Sequence, residues 1–439
     1  MNDGKESFVE LEELSSQAAD AILENKTIRL VSHNDADGLT AAGIMCNALY
    51  RSGIIFQATI VSQFDQSTID LIEKTSDGAV ILCDMGSGQV ELTSKIKKAI
   101  IIDHHKPTGI LDHVHFNPHL AGIDGSSELC AACGAYMVAR KMGDNTDLAG
   151  LALAGAIGDK QPMKGGNKFI LDEAIEKKVA TVRKGLRMGD DPVLELLEYG
   201  FEPYLDITGD REKIREFLDK LGVKGRLADL PEEQLIKLSS AIVLKLAKQG
   251  NVPAIDSLIG DYYILNNEVV PNVYDFVNIM NACGKDEKAG LALALCMRDS
   301  SAFDEARTIT REHQKNLIST IKKAQAQIKS ARNFRYVLLD DSSGTGIIAG
   351  TMTRYLYPDK PFITLNEVEG NIRISARGTR KLVAAGLDLA AAMREASASV
   401  EGMGGGHDIA SGATIPKGTA MKFIDIVDSI IEKQLKAKA

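Results

Sequence analysis

The sequence has no tryptophan, and aromatic residues make up only 5% of its 439 positions. This scarcity limits how much of any nucleic acid strand could be held by base stacking. No apolar run approaches the roughly 20 residues that a membrane span requires, and the first ten residues lack the basic start and apolar centre of a signal peptide. We therefore expect a cytoplasmic protein without membrane contact, whose six cysteines are reduced.

Positive charge is also scarce, because 60 Asp and Glu residues outnumber 51 Lys and Arg residues and give a net charge of -9. This balance argues against a protein coated in basic surface for indiscriminate duplex binding. It does not exclude nucleic acid, since a binding groove needs cations only along its length and metal-binding carboxylates make the total more negative. With 44% hydrophobic and 25% charged residues, the chain is typical of a globular protein of two or three domains.

Short apolar runs alternate with segments of helical period over the first 160 residues. This alternation is the signature of a parallel sheet covered by helices on both faces, so we predict a doubly wound α/β domain. The predicted strands are 26–32, 56–61, 79–83 and 99–102, and the clearest helices are 8–25, 39–51 and 67–73.

The rest of the chain divides by pattern into a mainly helical part, a long helix and a second α/β region. The helix is predicted over 305–332, where no Pro or Gly occurs. We predict strands at 334–340, 361–365 and 371–377 and helices near 346–356 and 386–398. The predicted organisation is an N-terminal domain over 1–300 (α/β core about 1–165, helical part about 166–300), a connector helix over 301–332 and a smaller α/β domain over 333–439.

The first chemical signal is the segment HNDADG, which directly follows a predicted strand and precedes a helix. In an extended segment His33, Asp35 and Asp37 project to one side. Gly38 permits the turn, and the free N–H groups at the start of the next helix favour an anion. The alternative is an acidic turn in which an Asp caps the helix.

Further carboxylates and imidazoles follow the next strands. Asp84 comes directly after AVILC, the sequence Asp103-His104-His105 follows AIII, and Asp159 ends a helix of small residues. Because ligands of open parallel sheets sit beyond the carboxyl ends of the strands, we expect these groups to meet in one crevice.

So many like charges would repel one another unless cations neutralised them. Carboxylate and imidazole ligands without thiolate favour Mn²⁺ or Mg²⁺ over Zn²⁺ or Fe. Two ions about 4 Å apart, bridged by one carboxylate, would provide an activated nucleophile for phosphoryl chemistry.

The motifs HNDADG, DMGSG, DHHKP and AGAIGD, in this order, resemble those of the DHH phosphoesterase superfamily. The ending GMGGGHDIASGATI resembles the DHHA1 substrate-binding domain, and YLDITGD and MNACGK resemble stretches of archaeal RecJ-like exonucleases. Only Asn34 separates His33 from Asp35, which is unlike family II inorganic pyrophosphatases and favours the exonuclease branch. The resemblance makes 1–300 the DHH catalytic domain and 333–439 the DHHA1 domain.

The resemblance also implies roles for individual residues. One ion would take His33, Asp35 and Asp84. The other would take Asp37, Asp84, His104 and Asp159, so that Asp84 is the bridge. Asp84, His104 and His105 would be the catalytic residues, with His105 contacting the scissile phosphate or assisting the leaving oxygen.

The C-terminal region offers a substrate-binding surface. Arg373, Ser375 and Arg377 share one face of a predicted strand, which suits a phosphate with two guanidinium partners. Gly404, Gly405 and Gly406 would let backbone N–H groups approach an anion, and His407 adds a donor. The alternative for the glycines is a flexible turn.

Three other segments have plain interpretations. Cys130 and Cys133 lack a second pair, so packed thiols are favoured over a redox or zinc site. His113, His115 and His119 favour a satisfied loop, although one of them could line the crevice. The segment KGGNK at 164–168 fits a solvated loop and a strand-binding loop equally well.

The resemblance implies a Mn²⁺- or Mg²⁺-dependent exonuclease for single-stranded DNA or RNA, acting in replication, repair or RNA turnover. One alternative is an oligoribonuclease, nucleotide phosphatase or cyclic-dinucleotide phosphodiesterase acting on short substrates. The other is a noncatalytic replication scaffold, for which loss of the ligand residues would be expected. Protein partners implied by the resemblance are replication or repair proteins such as GINS or a helicase.

Overall fold

The computed structural model describes residues 3–75, 78–249, 252–340, 344–368 and 370–437. The chain forms two compact units, which we call the first unit (1–189 and 261–311) and the second unit (190–260 and 312–439). Among the described residues, no helix combines the length and the apolar character needed to cross a membrane.

The strands are β1 (Thr27–His33), β2 (Ile55–Val61), β3 (Ala79–Cys83), β4 (Ala99–Ile102), β5 (Val114–Phe116), β6 (Ala180–Leu186), β7 (Ile259–Leu265), β8 (Lys329–Ser330), β9 (Arg335–Asp340), β10 (Phe362–Val368), β11 (Asn371–Arg377), β12 (Met403–Gly406) and β13 (Ala410–Pro416).

The helices are α1 (Asp3–Leu23), α2 (Ala36–Arg51), α3 (Gln66–Thr75), α4 (Val90–Thr93), α5 (Ala131–Met142), α6 (Ala149–Gly158), α7 (Gly165–Glu176), α8 (Val193–Tyr199), α9 (Arg211–Leu221), α10 (Glu232–Lys248), α11 (Val252–Leu258), α12 (Val273–Lys285), α13 (Ala289–Cys296), α14 (Phe303–Ala326), α15 (Thr345–Thr351), α16 (Arg380–Ala384), α17 (Leu389–Ala398) and α18 (Ala420–Lys436).

The first unit contains a parallel five-stranded sheet in the order β2-β1-β3-β4-β5. Its strand order reverses between β1 and β3, the position at which sheets of this topology bind ligands. Both faces are covered, because alternate residues of β1, β3 and β4 pack in different cores. Ile81 packs in the cluster that includes α2, α5 and α6, whereas Leu82 packs in the one that includes α3. The predicted doubly wound α/β domain is confirmed.

The second unit contains a six-stranded mixed sheet in the order β12-β13-β11-β10-β9-β8. Strands β9 and β10 are parallel, and the other neighbours are antiparallel. Along β11, Ile372, Ile374 and Ala376 are buried in the core with α17 and α18. The alternate residues of β11 therefore lie on the opposite face. The predicted C-terminal α/β region is confirmed.

The structure differs from the sequence prediction at several elements. Strands β6 and β7 pair with each other inside the part predicted as mainly helical. The long helix α14 ends at Ala326 rather than at 332, because 329–330 pair with β9. The helix predicted from 386 begins at Leu389, where the side chain of Asp388 caps its first turn by accepting from Ala391 N.

The compact units also divide the chain differently from the predicted domains. Residues 190–260, which we predicted as part of the N-terminal domain, belong to the second unit. Within that unit the amide of Gln249 donates to the carbonyl oxygens of Tyr204 and Tyr355 at 3.2 and 3.0 Å. Such pairing joins segments more than 100 residues apart, which a local pattern does not reveal.

Candidate metal centre

The segment from His33 to Gly38 forms the corner between β1 and α2. The Oδ1 atom of Asp35 caps α2 by accepting from Gly38 N at 3.0 Å, while its Oδ2 lies 2.9 Å from Nδ1 of His33. A Cβ atom at Gly38 would lie 2.4 Å from the carbonyl oxygen of His33, so only glycine fits this corner. Asp35 is therefore both the helix cap and a member of the acidic cluster.

Asp84 follows β3 in the left-handed backbone region, with φ of 59°. A non-glycine residue pays a conformational cost there, which is typical of a functional position. Its N–H donates to the carbonyl oxygen of Ile102 at 3.0 Å, which fixes the residue between β3 and β4. Oδ2 lies 3.4 Å from His33 Nδ1, and Oδ1 lies 3.3 Å from His104 Nε2. Buried Oδ1 accepts no hydrogen bond from the described residues.

His104 has a defined orientation and tautomer. Its Nδ1 lies 2.7 Å from the carbonyl oxygen of Gly125, and because a carbonyl only accepts, Nδ1 carries the proton. The lone pair of Nε2 then faces Asp84, at 3.3 Å from Oδ1, and Asp37, at 3.8 Å from Oδ2. This is the arrangement found in metal-binding histidines.

Asp103 organises the rest of the Asp-His-His motif. Its Oδ1 accepts from the N–H groups of His104 and His105 at 2.8 and 3.1 Å and from Nδ1 of His105 at 2.8 Å. Its Oδ2 accepts from Ser87 N at 2.9 Å. The His105 side chain is 56% exposed, whereas that of Asp103 is fully buried. His105 is thus the motif residue that a substrate can reach.

Asp37 is held by a helix that comes almost 100 residues later. Its carboxylate accepts from the N–H groups of Ala131 and Ala132, both at 2.8 Å, which are the first residues of α5. The positive end of the helix dipole stabilises the carboxylate. A Cβ at Gly155 of α6 would lie 2.6 Å from Asp37 Oδ1, so glycine allows this close packing.

Asp159 follows α6, at the position that the sequence predicted. Its Oδ2 accepts from Gln161 Nε2 at 2.8 Å and lies 3.9 Å from His104 Nδ1. With Asp159 in place, the ligand atoms form three overlapping sets, each within 4.8 Å. The sets are His33, Asp35 and Asp84; Asp37, His104 and Asp159; and Asp84, His104 and His105.

The titration behaviour of the cluster reflects its burial and crowding. Burial and the charge of Asp84 raise the pKa of Asp37 to about 7. Burial alone would lower the pKa of His33, but its hydrogen bonds with Asp35 and Asp84 outweigh burial and raise it to about 10. Burial, with the charges of Asp84 and Asp35, also raises the pKa of Asp159. Each shift favours the protonated form of its group, which a divalent cation nearby would disfavour.

These observations fit divalent cations. The donors are carboxylate oxygens and imidazole nitrogens without thiolate, which suits Mn²⁺ and Mg²⁺. Positive charge at this point would satisfy Oδ1 of Asp84, which accepts no hydrogen bond from the described residues, and would offset the burial and the charge of Asp84 that raise the pKa of Asp37. The structure thus gathers every predicted ligand residue, and acidic and histidine clusters here could bind metal.

Helix α12 supplies contacts to which the sequence analysis assigned no role. Asn281 Oδ1 accepts from Ala36 N at 3.0 Å, and Lys285 Nζ donates to Asn34 Oδ1 at 2.8 Å. Burial raises the pKa of Asp35, but the hydrogen bond and charge of His33 outweigh burial and lower it. The charge of Lys285 makes a smaller contribution in the same direction. The sequence analysis identified this segment by the MNACGK motif, but only the packing of α12 brings the motif into contact with HNDADG.

The predicted phosphate-binding residues lie in the second unit. Ser375 of β11 is opposite Gly412 of β13, which is opposite Gly405 of β12, so the strand face and the glycines are two strands apart. Arg373 and Arg377 lie on the same face as Ser375, and Thr345 Oγ1 is 3.1 Å from Ser375 Oγ. Gly404 and Gly406 flank Gly405 in β12, and His407, just beyond it, donates its N–H to Ala410 O at 2.9 Å.

The sequence favoured a role without chemistry for the cysteine pair and for the histidines that follow the Asp-His-His motif. Cys130 and Cys133 are buried free thiols, and Cys133 N donates to Cys130 Sγ at 3.4 Å. His115 lies in β5 and not in the predicted loop, and its Nε2 lies 2.8 Å from Ser87 Oγ. The segment 164–168 starts α7, with Lys164 preceding its first residue.

Comparison with known proteins identifies both regions. The model of the DHH family, N-terminal domain, matches residues 27–156, and that of the DHHA1 domain matches 340–433. The uncharacterized protein MJ0831 of Methanocaldococcus jannaschii is 33% identical over 447 residues, which cover 98% of this chain and 99% of the relative.

Solved structures share the fold. RecJ of Thermus thermophilus in complex with Mn²⁺ is 18% identical with a TM-score of 0.62, and the match covers 96% of this chain and 55% of RecJ. The same protein in complex with Mg²⁺ gives 18% and 0.56, covering 96% and 52%. This chain thus spans about half the length of that RecJ. CDC45 from Entamoeba histolytica is 13% identical with a TM-score of 0.61, covering 98% of this chain and 99% of CDC45. The chain therefore belongs to the DHH phosphoesterase superfamily, carries a DHHA1 domain and has a RecJ-like fold.

Proposed function

We propose that this chain is a metal-dependent exonuclease that hydrolyses phosphodiester bonds in single-stranded DNA or RNA. The observation that carries the proposal is the position of Asp84. Its two carboxylate oxygens face different imidazoles, Oδ2 towards His33 and Oδ1 towards His104. One residue can thereby serve two adjacent ligand sets, as a bridging carboxylate must.

The ligand sets assign the residues. His33, Asp35 and Asp84 would hold one ion, and Asp37, Asp84, His104 and Asp159 would hold the other. Mn²⁺ is the preferred ion and Mg²⁺ the alternative, since this donor set suits both. Two such ions neutralise a phosphoryl group and supply an activated water.

His105 would act directly on the substrate. Asp103 holds Nδ1 of His105 at 2.8 Å, which leaves Nε2 on the exposed side of the ring. Burial lowers the pKa of His105, but the Asp103 hydrogen bond and charge outweigh it and raise the pKa to about 9. The protonated ring can donate to a phosphate oxygen or to the leaving oxygen.

The second unit would bind the strand. Arg373 and Arg377 provide guanidinium groups on one strand face, with the hydroxyl of Ser375 between them. Gly404, Gly405, Gly406 and His407 would add backbone and imidazole donors to a phosphate. This assignment predicts that affinity for the strand, more than the chemical step, depends on these residues.

The decisive test compares Asp84→Asn with the matched control Asp299→Asn. Asp299 lies in the same unit, where its exposed side chain accepts from Ser301 N and Oγ at 3.0 and 2.7 Å. We expect Asp84→Asn to abolish Mn²⁺-dependent hydrolysis of end-labelled DNA and RNA strands, and Asp299→Asn to hydrolyse them as the wild type does. Retained hydrolysis in Asp84→Asn would disprove the bridging role.

The same assay separates the alternative functions. Faster turnover of dinucleotides than of strands of about 20 nucleotides would favour the short-substrate phosphodiesterase, because a long-strand enzyme uses contacts beyond the scissile bond. Strand binding without any hydrolysis would favour the scaffold. A place in replication, repair or RNA turnover, and partners such as GINS or a helicase, stay predictions.

A further inference from the structure

The side chain of Gln161 is buried beside the metal-ligand sets although it is not a ligand. Its Nε2 donates to Asp159 Oδ2 and to the carbonyl oxygen of Gly125, both at 2.8 Å. Its Oε1 accepts from Asn167 Nδ2 at 2.8 Å. Both hydrogens of the amide are therefore used, and the orientation of the group is fixed.

The carbonyl of Gly125 connects Gln161 to a second ligand residue. The same oxygen accepts from His104 Nδ1 at 2.7 Å. One carbonyl and one amide thus hold the side chains of both Asp159 and His104. A shift of Gln161 would change the carboxylate of Asp159 directly and the ring of His104 through Gly125.

Asn167 connects this group to the third member of the set. It is fully buried in α7, and its Oδ1 accepts from Cys130 N at 3.3 Å. Cys130 directly precedes Ala131 and Ala132, whose N–H groups hold the Asp37 carboxylate. The start of α5 therefore anchors Asp37 directly and Asp159 through the Asn167–Gln161 pair.

The other ligand set is supported from a different side. Asp35 is held by Gly38 N, and the backbone around it is held by Asn281 and Lys285 of α12. Among the described residues, the side chains of Gln161 and Asn167 make their polar contacts with each other and with Asp159, Gly125, His104, Pro162 and Cys130, and not with this set.

We propose that Gln161 and Asn167 are positioning residues that set the affinity of the ion held by Asp37, His104 and Asp159. The ion at His33, Asp35 and Asp84 is affected much less. This inference rests on the proposed function only in requiring two ions. Residues that orient metal ligands typically change metal affinity by about 10- to 100-fold when replaced.

The alternative is that the two amides only satisfy buried backbone groups and stabilise the fold. Asn145 provides the matched control, because it is a buried asparagine of the same unit whose side-chain partners, Ala139 and Arg51, belong to none of the ligand sets. Its Nδ2 donates to Ala139 O at 2.8 Å, and its Oδ1 accepts from Arg51 at 3.0 Å.

The test is calorimetric titration of the full-length apo protein with Mn²⁺ in Gln161→Met, Asn167→Leu and the control Asn145→Leu. In the wild type we expect two binding events. In both test variants one event should weaken by about 10- to 100-fold and the other by less than about threefold. The control should bind both ions as the wild type does, although its melting temperature falls.

Hydrolysis gives a second readout. In the test variants, the Mn²⁺ concentration for half-maximal rate should rise by the same factor, and saturating Mn²⁺ should restore kcat. Gln161→Asn, which withdraws the amide by one methylene, should show a smaller weakening and serves if Gln161→Met does not fold.

The inference is overturned if both events weaken equally, or if the variants bind Mn²⁺ as the control does. Its failure differs from that of the proposed function. A wild type that binds two ions without cleaving strands defeats the nuclease proposal, while the titration still decides the role of Gln161. A wild type that binds fewer than two ions overturns both.

Discussion

The buried carboxylate of Asp103 lies 2.8 Å from Nδ1 of the exposed His105. The contact divides the Asp-His-His motif between two tasks. The side chain of Asp103 is fully buried and also accepts from three backbone N–H groups, whereas that of His105 is 56% exposed. The aspartate that defines the motif is therefore a support for its histidines.

This relationship predicts the effect of Asp103→Asn. The asparagine side chain keeps one acceptor oxygen, but it loses the negative charge and presents N–H hydrogens to donors such as Ser87 N. We therefore expect His105 to lose its fixed orientation. We expect hydrolysis to fall by about 10- to 100-fold, as for other residues that support ligands. Steady-state kinetics on an end-labelled strand measures this. Wild-type kcat in a folded variant would contradict it.

Removal of metal should destabilise the protein. Without cations, burial and then the charge of Asp84 raise the pKa of Asp37 to about 7, so that its ionised form is costly. Mn²⁺ at 100 times its Kd should add about 2.7 kcal/mol of stability for one site. Thermal unfolding after dialysis against a chelator, with and without added Mn²⁺, measures the shift in Tm. The Mn²⁺-dependent shift should shrink in Asp84→Asn, and an unchanged shift there would count against the ligand assignment.

We expect the corner between β1 and α2 to tolerate no side chain at Gly38. In Gly38→Ala the Cβ would lie 2.4 Å from His33 O, and the backbone must move to relieve the overlap. We expect a loss of about 1–3 kcal/mol or more in the free energy of unfolding, with weaker Mn²⁺ binding. Gly88→Ala is the control, because no atom lies within 4 Å of its Cβ position, and it should change stability by less than about 0.5 kcal/mol. Equal losses in urea unfolding would refute the steric argument.

We expect the ion pairs of Asp147 to make the stability of the protein depend on pH in the acidic range. Burial would raise its pKa, but hydrogen bonds from Arg51 and Arg298 outweigh burial and lower the pKa to about 2. The ion pairs therefore stabilise the fold fully above the unfolded pKa of about 3.9 and progressively less as the pH falls to about 2. Because the side chain is 31% exposed, we expect only about 1 kcal/mol of destabilisation in Asp147→Asn at pH 7. Urea unfolding at pH 7 and pH 3 should show this difference shrinking at the lower pH; a constant difference would disprove it.

Local patterns of residues were enough to predict the buried strands of the parallel sheet. The apolar runs predicted β1, β3 and β4, since strands buried on both faces need little else. Because His33 and Asp84 end neighbouring parallel strands, their meeting at one edge of the sheet followed from the order of the elements.

The contacts that hold the ligand residues, in contrast, could not be predicted from local patterns. The anchoring of Asp37 by Ala131, the pairing of Gln161 with Asn167 and the grouping of 190–260 with the second unit depend on packing between distant segments. Strand β6 was missed for the same reason, because its partner β7 begins more than 70 residues later. Periodicity reports which face of an element is buried, whereas hydrogen bonds between elements depend on where packing brings their ends.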